Sequence, residues 1–269
     1  MEPRVVRADN AGLFTFDGTR THLLGRRRVA VIDPGPEGPE HRDRLLAALR
    51  AGGAETVSIL LTHDHPDHAG GVRELVDELA REAVSVGIHA SSRSSLADGS
   101  HGPFTPLAEG DEVATDSGRL RSLETPGHTR DHLAFHWPGG SALFVGDLLL
   151  GEGSTAWVGA YSGCVADYLE SLRRIESLEV RRLIPAHGPP IDEPTHAVDR
   201  FREHRLRRIA QVHRAVTDDP HADIEVLVDR VYGSELPAGL RSGAAWSVRA
   251  ILDHLELRPF PASGPDHEG

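Results

Sequence analysis

Short apolar-polar alternations open the chain and later give way to apolar positions at helical spacing. Residues 13–16, 21–24 and 29–32 read as strands, separated by the turn formers Asp17-Gly18 and Gly25-Arg26. Leu45, Leu46 and Leu49 then fall on one helical face within residues 39–51, and Gly52-Gly53 stops that helix. A continuous apolar run at 57–61 predicts a buried strand, followed by a helix over 72–80 and a strand over 84–88. Residues 91–106, rich in Ser, Gly and Pro, read as a loop that could rim a pocket. Alternation returns at 112–124, and strands are expected at 131–137, 141–145 and 182–184, with a helix over 165–178.

From Pro194 the character changes. Residues 195–216 predict a long Arg-rich helix with Phe201, Ile209 and Val212 facing inward, and Asp218-Asp219-Pro220 ends it. Two helical patterns follow at 224–231 and 244–257, and the tail after Pro259 is expected to be disordered. This change divides the chain into 1–193 and 194–269.

The polar clusters follow the expected strands, as in open sheets that present chemistry at their strand ends. The densest is Thr62-His63-Asp64-His65-Pro66-Asp67-His68, directly after the 57–61 run. Its imidazoles and carboxylates suit zinc and similar divalent metals, and a rigid strand would order them before a metal arrives. His128, Asp147 and His187 each follow a strand and are flanked by Gly or Pro, so all four pieces could converge. With 17 histidines in the chain, a lone one such as His22 or His41 reads as an ordinary core or surface residue.

Composition narrows the class. A net charge of −12 argues against a generic nucleic-acid binder. The absence of lysine excludes Schiff-base or lysine general-base chemistry. A single cysteine excludes an internal disulfide framework. No apolar run suits a membrane span or secretory signal, so a cytoplasmic protein with no membrane partner is expected.

The ordered set His63-x-His65-x-Asp67-His68, Thr125-Pro126-Gly127-His128-Thr129, Gly146-Asp147 and His187-Gly188 resembles the metallo-β-lactamase superfamily. The resemblance spans nearly all of residues 12–190 and implies an α/β fold, the αββα sandwich, with a two-metal site along the sheet edges. It implies that His63, His65 and His128 hold one ion and that Asp67, His68 and His187 hold another. Asp147 would bridge the two. Antibiotic-hydrolysing members often carry cysteine or another residue at that last position, so Asp147 resembles the hydrolase majority.

Residues 146–155, 167–172 and 186–191 resemble one branch, whose members carry a C-terminal winged-helix appendage. That branch includes an endoribonuclease and thioesterases acting on acyl-carrier proteins. The resemblance implies a catalytic domain at 1–193 and a helical, winged-helix-like region at 194–269.

Two divalent ions, with Zn2+ as the default and Fe or Mn compatible with the donors, would share a water and acidify it to a bridging hydroxide. Asp67 could orient this nucleophile. Cys164 reads as structural, whereas Ser154 and Thr155 are candidates for substrate contact; His132 could face substrate, support a ligand from behind or simply pack in the core, and Asp64 or Asp131 could fix a ligand tautomer. The leading reading is a hydrolase of a small ester, thioester or lactone, with a small-molecule or carrier-bound acyl substrate. The alternatives are an endoribonuclease on single-stranded RNA, using arginines of the 195–216 helix, and a non-enzymatic ligand sensor or partner-binding module. A homodimer is compatible with all three.

Overall fold

The computed structural model describes residues 2–265. Its first sheet is built from β1 (Arg4–Arg7), β2 (Arg20–Leu24), β3 (Arg28–Ile32), β4 (Thr56–Leu60), β5 (Ser85–Ser91) and β6 (Phe104–Leu107), side by side in that order. Strands β1 to β3 pair antiparallel, and β3 to β6 pair parallel. The parallel crossovers pass through α1 (Pro39–Gly52) and α3 (Val72–Arg81), with the short α2 (Pro66–Ala69) between β4 and α3.

The second sheet orders β11 (Arg182–Pro185), β10 (Ala142–Gly146), β9 (Leu133–Trp137), β8 (Gly118–Glu124) and β7 (Glu112–Thr115). Only β10 and β11 pair parallel, joined through α4 (Cys164–Glu176).

Side-chain alternation sorts the core into three layers. Leu24, Ala30, Ile32 and Leu60 point from the first sheet toward Phe135, Phe144 and Ile184 of the second. The alternate residues Leu23, Val29, Val31 and Ile59 meet α1 and α3 on the outer face. Covered on both sides, these strands read as continuous apolar runs. Helix α3 seals its layer with Val72, Leu75, Val76 and Leu79, spaced at i, i+3, i+4 and i+7. Burying each stabilises by roughly 1.5–3 kcal/mol, so Leu79→Ala is expected to cost about 2–5 kcal/mol.

The third layer packs α4 on the outside of the second sheet together with α5 (Pro194–Asp218), α6 (Ile224–Tyr232) and α7 (Ala238–His254). Phe201, Val212, Val248 and Ile251 share one core with Leu143, Val145 and Tyr168. The fold is thus the expected αββα sandwich, with a C-terminal helical appendage fused to its outer core. Among the described residues, 194–265 hold helices and no strand, so no wing accompanies them.

Several elements depart from expectation. Residues 13–16 form a turn closed by a Gly12–Phe16 bridge, with Leu13 62% and Phe14 54% exposed; the outer strand is β1, whose alternation is short and half-exposed. Strand β6 overlaps the end of the expected loop, and its Pro106 is tolerated because β6 is an edge strand. Helix α7 begins at Ala238, after Pro237, earlier than the apolar spacing implied. Of the tail expected to be disordered, 266–269 lie outside the described residues.

Candidate metal centre

Strands β3, β4, β8, β10 and β11 all release their carboxyl ends at one edge of the sandwich, and each is followed by a polar residue of the site. Strand β4 feeds Thr62 and His63. Pro66 then starts α2, where its missing N–H costs nothing, and places Asp67 and His68 on the first turn. The two sheets are stitched here, because Leu133 N–H donates to Thr62 O at 2.7 Å.

Two glycines allow the approach. Gly146 has φ 50°, and a Cβ there would meet Thr62 Cβ at 2.7 Å, so β10 can reach β4 and deliver Asp147 only with glycine. Gly127, at φ 139°, lies against Tyr168 of α4, where a Cβ would come within 2.5 Å of backbone. His128 follows it.

The residues converge as the spacing suggested. Donor atoms of His63, His65 and His128 lie within 4.8 Å of one another, as do those of His63, His68 and Asp147, and those of Asp67, His68 and His187. Asp147 faces both sides. Its Oδ1 lies 3.2 Å from His187 Nε2 and 3.5 Å from His68 Nε2, while Oδ2 lies 3.8 Å from His128 Nε2. Asp67 Oδ2 lies 3.2 Å from His187 Nε2 and accepts from the Thr19 hydroxyl at 2.9 Å.

The tautomers follow from the outer partners. His128 Nδ1–H donates to the Trp157 carbonyl at 2.9 Å, leaving a lone pair on Nε2. His68 Nδ1–H donates to Asp33 Oδ2 at 3.0 Å. The Thr62 hydroxyl donates to the same oxygen at 2.8 Å, so toward His63 Nδ1, 3.0 Å away, it accepts. In both rings Nε2 therefore faces the cluster, that of His63 2.9 Å from His65 Nδ1 and that of His68 3.5 Å from Asp147 Oδ1. Asp33 thus orients His68 directly and His63 through Thr62, from a backbone at φ 51° that Asp tolerates better than most residues.

Sequence reasoning assigned such a role to Asp64 or Asp131. Asp64 instead accepts from the Ser94 hydroxyl at 2.6 Å and from Ser95 N–H, tying the histidine run to the 91–106 segment. Asp131 is held above the usual carboxylate range by burial and by the neighbouring Asp64. Asp33 was readable only as a strand-ending breaker before Pro34-Gly35; its place at the end of a strand beside β4 was the available signal.

Of the alternatives open for His132, its burial favours packing behind the histidines over substrate contact. It is 1% exposed, hydrogen-bonded to the Thr125 hydroxyl at 2.9 Å, and packed behind the ligands against His63 and Gly146. Ser154 is half-buried and Thr155 exposed on the loop leading to Trp157. Cys164 is fully buried, and burial pushes its thiol up to about 11.

His63, His65 and His128 differ in charge from His68 and His187. Burial first, then mutual repulsion, holds His63 well below the usual range and His65 at about 3, while burial puts His128 at about 4. Burial also opposes charge on His68 and His187, yet the carboxylates win: Asp67, Asp147 and Asp33 hold His68 well above its usual value, and Asp147 with Asp67 holds His187 at about 9. Asp67 and Asp147 are driven far down against the cost of burial, by His68 and His187. The carboxylates of Asp67 and Asp147 and the rings of His68 and His187 thus favour each other's charged forms, and a divalent cation would compete with those ring protons. His68 Nε2 and Asp147 Oδ1 are buried and face each other at 3.5 Å, an arrangement that suits a cation between them.

The sequence pattern of the Metallo-beta-lactamase superfamily matches residues 15–187. The chain belongs to this superfamily. Metallo-beta-lactamase fold proteins of this kind are metal-dependent hydrolases, and the His/Asp sets suit divalent ions. A Beta-lactamase-like protein 2 homolog of Caenorhabditis elegans is 32% identical over 91% of this chain and 81% of its own length. An atrochrysone carboxyl ACP thioesterase of Aspergillus terreus is 32% identical over 80% of this chain and 64% of its own. A beta-lactamase domain protein from Burkholderia ambifaria superposes with a TM-score of 0.81 at 22% identity, over 95% of this chain and 86% of its own. Among the described residues, no helix is long and apolar enough to cross a membrane.

Proposed function

We propose that residues 1–193 form the catalytic domain of a binuclear hydrolase that cleaves an acyl thioester or related ester. His63, His65 and His128 hold one divalent ion and Asp67, His68 and His187 the other, with Asp147 shared between them and zinc the best match to the donors. The observation that carries this reading is Asp147, whose two oxygens face the two donor sets. When bound, the ions acidify water and polarise the scissile carbonyl.

The side chains do the rest. Asp67, 27% exposed and anchored through Oδ2 by Thr19, orients the attacking water toward the acyl carbon. The half-buried Trp157, whose ring lies 6.5 Å from that of His65 and 6.0 Å from that of His128, supplies an apolar wall that excludes bulk water. Ser154 and Thr155, three and two residues before Trp157 on the same loop, are the proposed contacts for the acyl group.

Similarity to a relative named as an acyl-carrier-protein thioesterase supports the substrate class. The arginines of α5 support it as well, because several have partners within the protein. Arg202 pairs with Glu176 and Asp199, Arg205 with the Ala156 carbonyl at 2.8 Å, and Arg208 with the Val231 carbonyl at 2.7 Å. The helix therefore offers phosphates fewer free cations than its composition suggested.

The test is turnover by metal-quantified protein of an acyl thioester and a single-stranded RNA, with Asp67→Ala as control. Thioester cleavage that falls about 100-fold or more in the variant is expected. RNA cleavage lost in the same variant, with no thioester turnover, overturns the reading.

A further inference from the structure

Residues 156 and 157 connect the C-terminal helices to the histidine cluster. The Ala156 carbonyl accepts from Arg205 Nη2 of α5 at 2.8 Å, and Arg205 is itself buried at 3% exposure. The Trp157 indole N–H donates to the Gly243 carbonyl of α7 at 3.0 Å. Between these anchors the Trp157 carbonyl accepts the Nδ1–H of His128 at 2.9 Å.

The same loop is held further along. Gly159 lies so close to α7 that a Cβ there would meet the Trp246 carbonyl carbon at 2.9 Å. Asp253 Oδ2 accepts from the Ser162 hydroxyl at 3.0 Å and from Gly163 N–H at 3.1 Å. The loop from 156 to 163 therefore takes its shape from α5 and α7, and that shape aims one carbonyl at His128.

We propose that Trp157 is a positioning residue through which the helical appendage sets the orientation, and hence the metal affinity, of His128. This rests on the reading of His128 as a ligand in the proposed function. The indole ring lies edge-on to the His128 imidazole, 6.0 Å between centroids. It fixes where its own main-chain carbonyl stands, and that carbonyl fixes the imidazole tautomer and ring angle. Outer hydrogen bonds of this kind typically carry about 10- to 100-fold in metal affinity. Trp157 acts at one remove from its carbonyl, so the low end applies. The appendage thus serves the site as well as the core, and the first donor set should feel α7 while Asp67, His68 and His187 do not.

The test is competitive titration of metal-stripped, full-length protein with Zn2+ against a chelator, followed in parallel by the visible absorption of Co2+. Trp157→Phe keeps the aromatic bulk and deletes the N–H. It is expected to weaken binding to the His63/His65/His128 set by about 10-fold and to shift the Co2+ bands, with the other set unchanged. Gly243→Ala, whose Cβ would stand 3.3 Å from Trp157 Nε1, is expected to move the same quantities in the same direction by less, and it decides the matter if Trp157→Phe does not fold. Folded variants with wild-type affinity and Co2+ spectrum overturn the inference. If His128→Ala leaves the affinity of that set unchanged, the ligand reading beneath it fails instead.

Discussion

Asp33→Asn isolates the group that orients a ligand on each side of the centre. The side chain is 2% exposed and accepts three hydrogen bonds: Thr62 N–H and the Thr62 hydroxyl at 2.8 Å, and His68 Nδ1–H at 3.0 Å. Asparagine matches the volume and tolerates the φ of 51°, so backbone strain does not confound the result. Its amide oxygen can still face Thr62 N–H. Its NH2 then replaces Oδ2 and meets two donors. Hydrogen bonds to a charged acceptor contribute about 1.5–3 kcal/mol each, so losing two costs roughly 3–6 kcal/mol before relaxation. For a chain of this size that lowers Tm by at least ~6 °C. Thr62 and His68 also lose their fixed orientation, so affinity at both donor sets is expected to fall by about 10- to 100-fold. Thermal unfolding of metal-free protein and competitive metal titration measure the two effects separately. A variant with unchanged Tm and unchanged metal affinity would refute the orienting role.

Three further outcomes follow from the same structure. Burial holds His22 and His41 at about 4, below the unfolded value near 6.5, so the folded state binds fewer protons. Their contribution is present above about pH 6.5 and is lost as pH falls toward 4, by up to about 3 kcal/mol each, and denaturant unfolding across that window should show the decline. Flat stability there contradicts the assignment. Cys164, buried with a raised pKa, should resist thiol reagents in the native protein and react only after unfolding, which a timed labelling experiment reads directly. Gly127→Ala should displace α4 from the loop before His128, because its Cβ would fall 2.5 Å from Tyr168 Cα; a loss of metal affinity beyond ~10-fold is expected from titration, and wild-type affinity argues against close packing there.

Most of the centre was legible because its chemistry is local. The histidine run packs four potential ligands into six residues after an apolar strand, while Asp147 and His187 carry strand-end and glycine signals of their own. What escaped is what only the assembled sheets can show. Asp33 reads as a breaker until β3 and β4 lie side by side, and Thr62 gains a role only once a carboxylate stands opposite it. The Trp157 carbonyl carries no side-chain signature at all.

His132 stayed open between substrate contact and packing because its spacing of four residues from His128 says nothing about which side of the cluster a strand end presents. The fold shows the same division. The strands covered on both faces announced themselves, whereas β1 and β6, at opposite edges of the first sheet, carry too few buried side chains to stand out. Leu13 and Phe14 suggested a strand but occupy an exposed turn, where apolar character has no periodic meaning.

The most direct test of the two-ion centre is metal stoichiometry by mass spectrometry on the stripped and reloaded chain, with His65→Ala and His187→Ala beside it. Two ions per wild-type chain, falling to one in each single variant, is the predicted result, because each residue belongs to only one donor set. A single ion in the wild type, or two retained in either variant, would contradict the shared arrangement around Asp147.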